Sequence, residues 1–342
     1  MRTFDKPALS IPKQLDVLIQ RGLHVGDADA ACRYLEVISY FRLSAYMRPF
    51  QRPESPDHSF RNDTHFSSII SLYAFDRELR LLVMDSIERV EVAVRAVLNN
   101  TMSITYDSPH WYLQRELFKQ RYLDQDDLIG LIADKMRKEK HHFERERKAI
   151  ETHRSLSASR KSSLIEKRKQ EHYFRHYGLT YDTPDLPPGW AMIEELSLGQ
   201  LSRLFAGIAK DRDKKAICRP FVLNSELMSS WLHTLTFVRN ICAHHARLWN
   251  RELAVKPKLP TSKHIQWVTP DRAPQNQRID YTRRLYVVLV ILNYFMKQIS
   301  PESSWHLRLK SLLGRCPDNH LVSMGFPDSW KHDPFWAFDD DQ

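Results

Sequence analysis

The chain has 342 residues, 42% hydrophobic and 27% charged, ordinary values for a soluble globular protein with one large or two modest domains. Its longest apolar run, Leu285 to Met296, is 12 residues, too short to span a bilayer, and its four cysteines form no C-x-x-C pair, which excludes a zinc ribbon or a disulfide framework. Lysine and arginine number 51 against 42 acids, an excess of +9 that favours a polyanionic partner such as nucleic acid; a generally basic soluble surface gives the same count.

Nine glycines and nearly continuous helical spacing predict an all-α protein without internal repeats. No apolar stretch follows Met1-Arg2-Thr3-Phe4-Asp5, so no signal peptide is expected and a reducing cytoplasm is the default compartment. Ser10 to Phe50 reads as two or three short helices. Ser10, Pro12 and Gln14 give the first a serine cap, an early proline and a first-turn glutamine. Asp27 or Asp29 caps the next, which leads into Tyr34, Leu35, Ile38, Phe41, Leu43 and Tyr46. Gln51 to Asp57 is a loop.

Phe66 to Asn100 is the strongest helix. Leu72, Phe75, Leu79, Val83, Ile87, Val90, Val94 and Val97 recur at three and four and build one apolar face. Asp76, Arg80, Glu88, Glu91 and Arg95 fall off that face, and Glu91 and Arg95 have ion-pair spacing. A solvated face accounts for these charges; the sharper reading turns Glu88 or Glu91 inward to orient Arg239.

From about 113 to 185 the composition shifts to dense charge of both signs with few apolar residues, as in a projecting, solvated helical arm. Cations outnumber acids there, and Phe143, Tyr173, Phe174 and Tyr177 are interleaved, so contact with an RNA backbone is the second reading. Its candidate residues are Lys138, Lys140, Arg145, Arg147, Arg160, Lys161, Lys167, Arg168 and Lys169. Helix resumes over Trp190 to Leu201 and again over Asn224 to Val238, where Met228, Trp231, Leu232, Leu235 and Val238 form a core stripe. Asp280 to Ile299 is the last long helix. The expected organisation is an N-terminal helical segment over 1–58, a helical domain over 59–300 carrying the charged insertion, and an aromatic-rich tail over 301–342 that docks on the body.

The chemistry concentrates in Arg239-Asn240-Ile241-Cys242-Ala243-His244-His245-Ala246-Arg247-Leu248-Trp249-Asn250. Metal-free RNA cleavage needs a base for the 2′-hydroxyl proton, an acid for the leaving 5′-oxygen and a cation for the charged phosphate. His244 is the candidate for proton transfer, Arg239 for the phosphate and Asn240 for a positioning hydrogen bond; His245 and Arg247 are further RNA contacts. One histidine serves poorly as both acid and base, which a symmetric dimer with two facing motifs would solve; His245 is the internal alternative. Five residues of regular helix turn about 500°, leaving Arg239 and His244 roughly 140° apart. Either the helix ends or distorts within Ile241-Cys242-Ala243, or the pair acts across a subunit interface. Adjacent histidines with no acid beside them do not suggest a metal site, and no cofactor is expected. An ion-paired Arg239 and a packed core His244 is the bland alternative.

These residues resemble the Arg-Asn-x-x-x-His signature of the HEPN superfamily. The wider chain is similar to the Abi-like (AbiD/AbiF) abortive-infection proteins, a branch of it. Tyr40-Phe41-Arg42-Leu43-Ser44-Ala45-Tyr46 resembles that family's Y-Y-R-L-S-G-Y block, with Phe41 and Ala45 as departures. Phe75-Asp76-Arg77-Glu78-Leu79-Arg80 with Ile87-Glu88-Arg89-Val90-Glu91, then Pro187-Pro188-Gly189-Trp190 (Gly189 apparently extra), then Arg239 through Arg251, and Met324-Gly325-Phe326-Pro327 follow in the family's order. The resemblance implies an all-helical HEPN-type bundle, dimerisation through the motif helices, antiphage defence by growth arrest, and Arg239 and His244 as catalytic residues with Asn240 in support. It also implies a structured noncoding RNA as a partner that holds a toxin in check. The function expected is a metal-independent endoribonuclease toxin; the alternatives are a non-cleaving RNA-binding protein and a protein–protein scaffold.

Overall fold

The computed structural model describes residues 7–262, 265–268 and 281–336. Among them the chain forms fourteen α-helices and no strand. The N-terminal three, α1 (Ile11–Gln20), α2 (Ala28–Ile38) and α3 (Tyr40–Met47), pack in sequence. Ser10 sits at the start of α1 without a side-chain cap; Gln14 instead reaches back to the Leu9 carbonyl at 2.9 Å. Asp27 rather than Asp29 caps α2, accepting from the Ala30 amide at 2.8 Å.

The forty-residue α4 (Phe66–Thr105) is the spine of the body, about 60 Å long. It is followed by α5 (Gln125–Thr152), α6 (Ala158–Gln170), α7 (Tyr173–Thr180), α8 (Gly189–Met192), α9 (Leu198–Gly207), α10 (Asp211–Cys218), α11 (Ser225–Ala243), α12 (Leu285–Ile299), α13 (Trp305–Gly314) and α14 (Asp318–Ser323). Helices α3, α8, α10, α11, α12 and α13 all pack on α4, so it is covered on several sides. That coverage corrects one expectation. Asp76 and Arg80 are not solvated: they are 0% and 6% exposed, because α3 and the chain after α11 close over that side of the spine.

Two boundaries also differ. The helix expected over Trp190 to Leu201 is broken. α8 tightens into a 3-10 turn, Leu196 turns extended, and Ser197 starts α9 with a capping box to Gln200. That box satisfies the first free amides of α9 locally, which makes a fresh start stable. The last long helix begins at Leu285, with Leu285 to Met296 buried throughout; Asp280 lies outside the described residues. In the described part of the tail Phe326, Trp330, Phe335 and Trp336 are buried, with Trp336 Nε1 donating to Tyr286 Oη at 3.2 Å.

Gly189 has a steric role. A Cβ there would lie 2.5 Å from Trp111 Nε1 and 2.8 Å from Asn99 Oδ1, closer than packed side chains tolerate. Its amide donates to the Pro109 carbonyl at 2.7 Å.

The inserted helices α5, α6 and α7 pack on one another, forming a compact arm with a core of its own. Phe143, Phe174 and Tyr177 are buried in it. Arg175, also buried, pairs with Glu139 at 3.1 Å and Glu146 at 2.9 Å and lies over the Phe143 ring. The arm's Lys135 is bonded to Glu195, before α9.

The Asp76 site is the most interdependent polar cluster in the body. Tyr46 Oη donates to Oδ2 at 2.6 Å, the Trp249 amide to Oδ1 at 2.6 Å and the Leu248 amide to Oδ1 at 3.2 Å, with the Arg80 guanidinium on Oδ2. Asp76→Ala should strand a buried guanidinium and two amides, lowering stability by about 3–5 kcal/mol. Asp76→Asn, which keeps an acceptor oxygen, should lose less. Urea unfolding of the three proteins measures this, and equal midpoints would contradict it.

Candidate functional site

Asn224 caps α11 by accepting from the Leu227 amide at 2.8 Å. The helix buries Leu227, Met228, Trp231, Leu232, Leu235, Val238, Ile241 and Cys242. It stays regular through Ala243 and closes just beyond. His244 is the C-cap, its amide bonded to the Asn240 carbonyl at 3.0 Å. His245 then enters the left-handed region at φ +54. Its amide donates to the Cys242 carbonyl and the Ala246 amide to the Ile241 carbonyl, both at 3.0 Å. Those two bonds are the Schellman closure, which glycine usually makes. A histidine there costs roughly 1–2 kcal/mol, and persists because neighbouring contacts impose the turn. Arg42 Nη1 donates to the His245 carbonyl at 2.6 Å, and Asp76 holds the Leu248 and Trp249 amides just downstream.

The motif residues therefore divide. Asn240, His244 and His245 are exposed at the end of α11. Arg239, half-buried, lines an open groove between α11 and α4 with Leu81, Met84, Asp85, Ile87, Glu88 and Glu91. No ion pair or hydrogen bond engages its guanidinium among the described residues. The helix neither ends nor distorts within Ile241-Cys242-Ala243, so the angular separation of Arg239 and His244 stands, and no hydrogen bond joins them.

Glu88 and Glu91 do face Arg239 across the groove, but neither clamps it. Glu88 is exposed. The Glu91 carboxylate pairs with Arg95 at 2.5 Å, and Arg95 goes on to Glu194 at 3.1 Å and the Leu196 carbonyl at 2.6 Å. Burial raises the Glu91 carboxyl above the ordinary range, against the pull of Arg95 and Arg239. Burial likewise raises Asp76, against Arg80, Tyr46 and the two amides.

Sequence reasoning missed Asp76, Tyr46 and Arg42 as supports of the motif. Each lies in a block that resembled the family's, and that was the available signal. Arg247 is half-buried over the Trp249 ring at 5.9 Å, and burial lowers its affinity for its proton; it packs against the fold as well as bordering the site. The Cys242 thiol is pushed up to about 12 by burial, which removes it as a nucleophile at neutral pH. Among the described residues no group of three His, Cys, Asp or Glu is placed to hold a metal ion, no helix is long and apolar enough to cross a membrane, and the four cysteines are free.

The arm carries the charge. Residues 135–175 contain 14 of the 51 lysines and arginines but 6 of the 42 acids, so 8 of the +9 excess lies there. Its aromatics are mainly internal: Phe143, Phe174 and Tyr177 are buried and Tyr173 is exposed. Arg147 pairs with Glu151 at 3.6 Å and Arg168 with Glu171 at 2.6 Å, while Lys161 bonds the Glu151 carbonyl at 2.6 Å. Lys138, Lys140, Arg145, Arg160 and Lys167 are exposed, and Lys169 is half-buried; none of the six has an ion-pair partner among the described residues.

Two predictions follow from the turn. His245→Gly should remove the left-handed penalty and raise stability by about 0.5–1 kcal/mol in urea unfolding; a loss would contradict the closure. Trp249 packs edge-on against His320 at 5.1 Å, and burial holds that imidazole below the usual histidine range. The unfolded chain therefore accepts a proton that the folded one resists, so stability should fall as pH drops below about 6.5. His320→Phe should flatten that part of a thermal-midpoint profile.

Neither the curated proteins nor the solved structures provide a match to the chain. The family of Abi-like proteins matches residues 33–250, a span that contains the α3 block, the Asp76 cluster, the arm and the whole of the motif through Asn250. The chain belongs to the Abi-like protein family.

Proposed function

We propose that this protein is a metal-independent endoribonuclease acting in abortive infection. Membership of the Abi-like family implies a part in antiphage defence; the cleavage chemistry is our reading of the motif. The observation that carries it is an Arg239 guanidinium in an open groove, with no ion-pair partner among the described residues, one turn before two exposed imidazoles on an anchored helix end. Arginine neutralises the phosphate through its planar fork, and histidine moves protons at neutral pH. The products would be a 2′,3′-cyclic phosphate, or its opened form, and a 5′-hydroxyl.

The regular course of α11 favours the two-subunit version of this site. Arg239 and His244 leave one helix in different directions, so a symmetric pair of motifs brings an arginine and two His244 imidazoles to one phosphate more readily than a single chain does. Leu81, in the lining of the Arg239 groove, is 56% exposed, an apolar side chain suited to such a contact. Asn240 serves as a positioning donor.

A second reading, a non-cleaving RNA-binding protein, is favoured by one observation: the charge excess is gathered on the arm. Lys138, Lys140, Arg145, Arg160, Lys167 and Lys169 would track a phosphate backbone, including that of a structured noncoding RNA that holds the protein silent.

Cleavage of RNA in EDTA by the wild type, His244→Ala and Arg239→Ala tests both readings. The expected result is 5′-hydroxyl ends from the wild type and a loss of about 100- to 10,000-fold in His244→Ala, with Arg239→Ala also strongly impaired. Tight, salt-sensitive RNA binding without cleavage, unchanged by His244→Ala, selects the second reading.

A further inference from the structure

Helix α3 presents one side chain that the fold does not use and, beside it, one that it uses only in part. Its inner face is fixed: Leu43, Tyr46 and Met47 are buried, and Tyr46 is bonded to Asp76. Its first turn is fixed as well. Ser39, at φ +78, caps the Arg42 amide, Arg21 bonds the Tyr40 hydroxyl at 2.7 Å, and Ser44 Oγ bonds the Phe41 carbonyl at 2.7 Å. On this rigid turn Phe41, read from the sequence as part of the apolar helix pattern, is 88% exposed. Arg42 beside it is also exposed, and spends one of its N–H groups on the His245 carbonyl, leaving the others unengaged among the described residues. A cation with spare donors is thus tied to the backbone of the turn that carries His244 and His245, with a bare phenyl ring at the adjacent position.

We propose that Phe41 and Arg42 form a nucleotide subsite next to the His244–His245 turn, in which the guanidinium holds a phosphate and the ring stacks an unpaired base of single-stranded RNA. The proposal rests on the RNA reading above and adds to it the strand state of the substrate. An exposed ring beside a cation is the pairing by which proteins hold single strands, since every base offers a π-face and every nucleotide a phosphate. Val37, 78% exposed on α2, makes a protein surface the competing occupant. Charge decides between them: Arg42 stands at the next position and is tied to the turn that carries His244 and His245, and a phosphate-bearing ligand suits its guanidinium better than an apolar face.

The test is binding of a fluorescein-labelled oligouridylate and of an RNA hairpin to His244→Ala protein, alone and combined with Phe41→Ala, Phe41→Trp, Arg42→Ala or Arg42→Lys. Phe41→Ala should weaken oligouridylate binding about 5- to 100-fold and hairpin binding much less, and Phe41→Trp should retain it. Arg42→Ala should weaken binding and reduce the salt slope by about one, with Arg42→Lys intermediate. The thermal midpoint of Phe41→Ala should match its parent, because the ring has no packing to lose. Unchanged oligouridylate affinity in both alanine variants overturns the subsite, as does a Phe41→Ala protein whose oligomeric state changes while its RNA affinity does not. If wild type cleaves and Phe41→Ala and Arg42→Ala leave affinity unchanged in the His244→Ala protein and cleavage unchanged in the otherwise wild-type protein, only the subsite is wrong. If His244→Ala binds neither RNA and wild type cleaves none, the RNA reading fails and the subsite with it.

Discussion

One buried carboxylate ties the N-terminal helices, the spine and the end of α11 to one another. Asp76 sits in the first half of the spine helix and accepts from Tyr46 on α3, Arg80 one turn away, and the Leu248 and Trp249 amides beyond the motif. A buried charge is tolerable only when its lone pairs are filled and its charge is opposed. Those requirements make the N-terminal helices, the spine and the exit of α11 mutually dependent. Remove the carboxylate and each partner is left with an unmet donor. The left-handed His245 turn and the exposure of His244 follow from that clamp together with Arg42, since the chain leaving α11 must reach Asp76 within four residues of His244.

Much of this was legible in the sequence. The apolar stripe of α4, the Asn224-led helix into the motif, the fully apolar α12 and the docking of Phe326, Trp330, Phe335 and Trp336 all follow from periodicity and hydrophobic content, which are local properties. What was not legible depended on contacts remote in the chain. Asp76 and Arg80 looked solvated because helical periodicity marks one dominant face, whereas a spine covered on several sides has no such single face. Phe41 fitted an apolar helix and yet lies in water, because Ser39 separates α2 from α3 and resets the rotation. Gly189 looked superfluous in its block, although the indole of Trp111, 78 positions earlier, fills the space where its side chain would be.

The candidate site shows the same division. Arg239, Asn240 and His244 stand out as residue types at a spacing, and they lie at the surface rather than in the core: a half-buried guanidinium in a groove and two exposed imidazoles. The supports Tyr46, Asp76 and Arg42 carry no chemical signature of their own. The arm divides its residues, with neutralised Arg175, Phe143, Phe174 and Tyr177 inside and most of its lysines and arginines outside. The body thus keeps nearly balanced charge while one peripheral unit carries the positive excess.

The measurement closest to the central claim is amide hydrogen exchange, followed residue by residue in wild type and Asp76→Ala under conditions where both are folded. If Asp76 clamps the turn, the Leu248 and Trp249 amides should be strongly protected in wild type and lose much of that protection in Asp76→Ala, while the amides of α12 keep theirs. Fast exchange at Leu248 and Trp249 in the wild type, or protection indifferent to the substitution, would contradict the account.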